Sequence, residues 1–363
     1  MQLRAAWAVT GSRNPASGHR IGFSEDDLRR SRRFHRPRYV ALAVDLALAL
    51  ATLAALTRLG LPIPWWGQAL ALPVVVDVAL ALVRLPVAWW RYRHDVRFGL
   101  STQSPGGFAV DAAKGAAVGA ALALAALAPL YALVHRFPDG WVWPAAAGAG
   151  LLVFVGSFLA PVVLEPVWNR FAPLADDELA ARLRELAARA GTPVSEILVA
   201  DASRRTTRQN AYVSGLGRTR RVVLWDTLLE TPADEIAVVL AHELGHRARR
   251  HVAILTGVAV AGAAGFVLVL RLLRPQPAPR DTALILLLGL VLELATLPGV
   301  SALSRRFERV ADRFSLELTG NRAAFQALHR RLALANLSDL DPPRWLYYWL
   351  FSHPTAPERL ADT

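Results

Sequence analysis

Cysteine is absent from the chain. That excludes disulfides, thiolate metal ligands and cysteine nucleophiles, so any metal must be held by histidine and carboxylate. Lysine is nearly absent too: Lys114 is the only one, and arginine carries almost all of the positive charge. Only 19% of the 363 residues are charged and 54% are hydrophobic, with a net charge of +12. Long stretches carry no charge at all, which argues for membrane spans rather than one large soluble core. A basic balance can mean nucleic acid. Here the arginines flank the apolar runs, as the positive-inside rule describes, so no nucleic-acid partner is expected. No apolar segment with a small-residue cleavage site precedes the first run, and no cleaved signal peptide is expected.

Residues 1–38 read as a basic tail ending in the arginine cluster of 29–38, which should hold the N-terminus in the cytoplasm. A four-span membrane region, 39–164, follows, with spans at about 39–57, 67–90, 115–134 and 143–164. Asp45 and Asp77 fall inside the first two spans. Each is either a functional carboxylate or an interhelical partner. From Glu165 the composition turns soluble. A charged helix at 176–190 is followed by short strands at 195–200, 210–213 and 221–225, the last two joined by a turn over 214–220. Residues 165–251 form one part of a domain that resumes at 304–363, interrupted by an apolar hairpin, 252–303, with spans five and six.

His242-Glu243-Leu244-Gly245-His246 carries the chemistry. On a helix, His242 and His246 share one face and can reach a single Zn²⁺, while Glu243 can touch water on the metal without ligating it. Pro232, Asp234 and Glu235 mark the helix start. The alternative is a pair of solvated histidines beside a glutamate. No breaker separates His246 from the apolar run at 252, so the helix is expected to continue into span five. Span six then returns the chain to the same depth, where Glu308 is the natural third ligand of a His₂Glu site with one open position. Asp312, one turn on, can accept the ring N–H of a ligating histidine. Ordinary pairing with neighbouring arginines is the alternative for both carboxylates. One zinc per chain is expected.

These residues, with the segment Ser304-Arg305-Arg306-Phe307-Glu308-Arg309-Val310-Ala311-Asp312 and the near-terminal Ser352-His353-Pro354-Thr355-Ala356-Pro357-Glu358-Arg359-Leu360, resemble the integral-membrane CAAX prenyl protease type I family of zinc metallopeptidases. HtpX-like proteases are more distant relatives. The similarity runs from about Leu85 and includes Asp111, Lys114, Arg204, Arg205 and Asn210-Ala211-Tyr212. The resemblance implies that His242, His246 and Glu308 bind zinc, that Glu243 is the base, and that His353 and Arg359 belong to the active site. It also implies that Asn210 lies beside the substrate backbone, with Ala211 and Tyr212 in the same strand. Arg359 is alternatively a partner of Glu308. Family members have seven spans around a chamber, whereas six are counted here. The stretch 344–351 is too short to span and reads as an interfacial helix that carries His353 to the zinc.

The expected fold is mainly α: a polytopic membrane protein of about six spans with a small α+β zincin-like metalloprotease domain at the cytoplasmic face. The expected function is a membrane-embedded zinc metalloendopeptidase of the cell membrane, acting on extended or membrane-associated polypeptides. Two other classes stay open. In a transporter Asp45, Asp77 and Glu293 would line an ion path, but no internal repeat is evident. In a scaffold with structural zinc, a fourth protein ligand would be usual and Glu243 gratuitous. Reporter fusions at Asp139 and Gln276 are expected to read outside the cell; a cytoplasmic signal at either would contradict the six-span topology.

Overall fold

The computed structural model describes residues 22–214 and 221–362. Residues 1–21 of the expected tail and nearly all of the expected turn over 214–220 therefore lie outside the described residues. In chain order the helices and strands are α1 (Glu25–Leu56), α2 (Trp65–Arg97), α3 (Pro105–Arg136), α4 (Val142–Leu159), β1 (Phe171–Pro173), α5 (Asp177–Arg189), β2 (Glu196–Ala200), β3 (Ala211–Ser214) and β4 (Arg221–Trp225). They continue with α6 (Ala233–Ala248), α7 (His251–Leu273), α8 (Thr282–Thr319), α9 (Arg322–Ala335), α10 (Arg344–Leu350) and α11 (Ala356–Ala361). A π-helical stretch, Ala160–Leu164, and a helical turn, Glu165–Trp168, link α4 to β1. Among the described residues, six helices are long and apolar enough to cross a membrane: α1 to α4, α7 and α8.

The first helix differs from a polar tail followed by a span. Ser24 and Asp27 form a reciprocal capping box, with Asp27 N donating to Ser24 Oγ at 3.1 Å, and three acidic residues occupy the first turn. The helix therefore begins at Glu25 and runs unbroken through Pro37 into the span. Its early turns are not free in solution. Leu28 and Phe34 are buried, and Ser31 Oγ donates to Ser338 O at 3.0 Å. Arginine patterning made this segment read as a tail because its two buried apolar residues are too few to give a period.

The four strands form one sheet in the order β1-β2-β4-β3, with β2 parallel to β4 and the other pairs antiparallel. The unforeseen β1 has three residues and contains Pro173, too short to show alternation. Being last in the order, β3 leaves one edge unpaired within the sheet. Leu183, Leu224, Leu228, Ile236, Leu240, Leu244 and Phe325 fill the core between the sheet and helices α5, α6 and α9.

The helix carrying the histidine pair is not continuous with the fifth candidate span. It ends at Ala248, and Arg250 adopts the left-handed conformation (φ 56°, ψ 29°) before α7 starts at His251. A non-glycine residue held there costs roughly 1–3 kcal/mol, and no glycine, proline or capping side chain announced it. By contrast α8 stays helical through Pro298, so span six and Glu308 share one rod. Within the spans, Asp45 accepts two hydrogen bonds of 2.8 Å from Arg84 and lies 3.3 Å from Arg91, the interhelical reading of that residue. Asp77 packs against Gly119, where a Cβ would meet its Oδ1 at 2.8 Å, and Glu293 is exposed on α8.

Close packing of α6 on α8 brings the two halves of the domain together. A Cβ at Gly245 would meet Ala311 Cα and Phe314 Cδ1, each at 3.1 Å, and Ser315 Oγ donates to Val238 O at 3.1 Å one face along. Since the nearest atom is backbone, a methyl group there must push the helices apart. Gly245→Ala should lower the thermal midpoint, with a loss of about 1–3 kcal/mol from overpacking. An unchanged midpoint would show that this contact is slack.

Candidate active site

Helical spacing places His242 above His246 on α6, and their Nε2 atoms are 3.1 Å apart. Glu308, on α8 and 4% exposed, sends Oε2 to 3.3 Å from His242 Nε2 and Oε1 to 3.3 Å from His246 Nε2. One ligand atom from each of the three lies within 4.8 Å of the others. Four ligands at about 2.0–2.1 Å from a tetrahedral metal stand about 3.3 Å apart, so this triangle of two imidazoles and a carboxylate fits such an ion. Behind it, Asp312 Oδ1 contacts His242 Nδ1 at 2.8 Å. Burial alone would lower the His242 pKa, but hydrogen bonding to Asp312 and Glu308 outweighs it and lifts the ring to about 9.

The two buried carboxylates share one cation. Arg359 donates from Nη2 to Glu308 Oε2 at 2.6 Å and from Nη1 to Asp312 Oδ1 at 2.8 Å. Of the two readings open for Arg359, the structure gives it the carboxylate-partner geometry. It sits on α11, where Thr355 caps the helix in a box with Glu358. His353 precedes that cap, with Nε2 3.3 Å from Glu308 Oε1 and Nδ1 2.7 Å from Ser352 Oγ. The buried Arg305 of α8 anchors the segment before it, donating to Tyr347 O at 3.1 Å and Phe351 O at 2.5 Å. Ser301 Oγ holds Trp349 O at 3.0 Å. Sequence reading passed over Arg305 because it sits inside an arginine cluster that topology already explained.

Glu243 lies on the adjacent sector of α6, against the unpaired edge of the sheet. Burial raises its pKa, partly offset by His242 and His246, and it accepts a hydrogen bond from the Val213 backbone. A cavity of about 440 Å³ opens here, lined by His242, Glu243, Glu308, His353, Arg359, Asn210 and Ala211. Tyr212 differs from its neighbours in β3: its hydroxyl donates to Glu165 Oε2 at 2.7 Å. Just before the strand, Gln209 and Asn336 exchange hydrogen bonds of 2.8 and 3.0 Å, which pins the chain to the end of α9. Two further histidines border the site without any motif to announce them. His251 Nδ1 is 3.0 Å from His246 Nδ1. His329 is buried with Nε2 3.9 Å from Asp312, and burial together with Arg359 lowers its pKa to about 3.

The family model for Peptidase family M48 matches residues 173–363, and that for the CAAX prenyl protease N-terminal region, described as five membrane helices, matches 40–170. The chain is 33% identical over 287 residues to the "Uncharacterized metalloprotease YhfN" of Bacillus subtilis, covering 74% of this chain and 67% of that protein. It is 38% identical over 122 residues to CAAX prenyl protease 1 of Saccharomyces cerevisiae, spanning only 27% of the yeast protein's length. The S. mikatae Ste24p crystal structure has the same fold, with a TM-score of 0.81 and 24% identity over 93% of this chain and 89% of that one. With six candidate spans and a His-His-Glu cluster in the matched region, this chain belongs to peptidase family M48 and is a multi-pass membrane metallopeptidase.

Proposed function

We propose that the protein is a zinc metalloendopeptidase that cleaves extended or membrane-associated polypeptides at the cytoplasmic side of the cell membrane. The observation that carries this reading is the donor triangle of His242, His246 and Glu308 beside Glu243 and an open cavity. When bound, zinc would activate water and polarise the scissile carbonyl. Glu243 takes the water proton and returns it to the leaving amine. Its place beside both histidines and on the cavity wall suits both steps. His353 turns Nε2 towards Glu308 Oε1 at 3.3 Å, so the ring atom that faces the site is the one that, carrying a proton, can stabilise an oxyanion. Arg359 holds Glu308 and Asp312 in place and also lines the cavity, where it can add to stabilisation of the oxyanion. The unpaired edge of β3 supports binding of substrate as an added strand beside Asn210 and Ala211, read through its backbone. Backbone recognition does not require a prenyl group, so unprenylated peptides are the expected substrates.

Two sets of measurements on purified protein test this reading. Metal analysis should find about one zinc per chain; Glu308→Ala should lose it, and Asp312→Ala should weaken binding about 10–100-fold. Normal retention in Glu308→Ala would mean that a different third ligand operates. With an unprenylated peptide, Glu243→Gln should keep its zinc while turnover falls about 10²–10⁴-fold, and His353→Ala should keep zinc with a fall of about 10²–10³-fold. Near-normal turnover in Glu243→Gln would refute the mechanism. Zinc loss in His353→Ala would make that residue a ligand, and strict dependence on a prenylated cysteine would overturn the substrate reading.

A further inference from the structure

Resting on the metal-site reading above, we infer that His251 is a positioning residue that fixes His246 for the metal by accepting the proton of its Nδ1. The two Nδ1 atoms are 3.0 Å apart and the rings meet edge to face at 74°. His246 turns Nε2 towards His242 and Glu308, so a ring that ligates through Nε2 must carry its proton on Nδ1. His251 Nδ1 is the acceptor placed to receive it, which puts the His251 proton on Nε2.

The backbone explains how a residue five positions on reaches back. On an uninterrupted helix His251 would stand about 140° around the axis from His246 and face away from it. The left-handed turn at Arg250 ends α6 and starts α7 at His251 itself, and so returns the ring to His246. A strained conformation on a residue other than glycine is the kind of outlier that functional geometry retains. His251 is then held in place from the other side. It is 4% exposed, and its ring lies parallel to Phe307, with centroids 4.1 Å apart and an angle of 4°. Phe307 immediately precedes Glu308, so one stacked pair aligns the second histidine with the carboxylate.

The test compares His251→Asn, which keeps a side-chain acceptor near the Nδ1 position, with His251→Phe, which keeps the stack but removes the acceptor. Zinc retention against a competing chelator and the visible spectrum of the cobalt-substituted protein are the readouts. His251→Phe should weaken zinc binding about 10–100-fold and shift the cobalt bands, while His251→Asn stays close to wild type. Wild-type affinity in His251→Phe would overturn the assignment, as would equal losses in both variants, because packing would then be the cause. Should His251→Phe fail to fold, His251→Ala takes its place: it must lose zinc affinity while His251→Asn retains it, and equal affinity in the two overturns the inference. Wild-type protein that takes up no zinc would overturn this assignment together with the metal reading beneath it; tight zinc in every variant would overturn this one alone.

Discussion

The site depends on how closely α6 and α8 approach. Gly245, between the two proposed zinc-binding histidines, leaves only enough room for the Ala311 backbone and the Phe314 ring. That contact brings Glu308 to 3.3 Å from both imidazoles, although the two helices are separated in sequence by the whole of α7 and its return loop. A larger residue in that position would move the carboxylate by a few tenths of an ångström or more, which matters to a metal and little to a solvated ion pair. The glycine is therefore part of the site although it contributes no ligand atom.

Burying Glu308 and Asp312 together creates an electrostatic demand that the rest of the domain is arranged to meet. Two desolvated carboxylates without cations would be prohibitive. Arg359 answers both, and it comes from a six-residue helix that could not hold its position alone. Its support comes from three directions. Arg305 and Ser301 of α8 bind the carbonyls of α10 and the residues after it. The start of α1 grips the chain between α9 and α10, with Arg32 on Asp341, His35 on Leu337 O and Tyr39 on Asp339. Phe23, Leu28, Leu340 and Leu360 close an apolar cluster beneath. Phe23, the start of α1 and the C-terminal segment thus secure one guanidinium between two carboxylates.

Much of this was legible in the sequence because the governing patterns are long or chemically distinctive. Six long apolar runs with few charges marked the six candidate spans, and the return of the hairpin to equal depth put Glu308 beside His242 and His246. The strands over 195–200, 210–213 and 221–225 lie within a residue or so of β2, β3 and β4. What was missed has local physical causes. The break at Arg249 and Arg250 carries no glycine, proline or cap, so only tertiary packing explains it. The helical start at Glu25 was hidden by its arginines, and β1 by its length. His251 and His329 stand outside any motif spacing, and only the folded chain shows that they border the cluster.

Diffraction from crystals of the zinc-loaded protein, recorded on both sides of the zinc absorption edge, would locate the metal. One anomalous peak per chain is expected, at about 2.0–2.1 Å from the Nε2 atoms of His242 and His246 and from a carboxylate oxygen of Glu308, with Glu243 outside the coordination sphere. A peak bound by Glu243, or one placed away from this triangle, would contradict the proposed site.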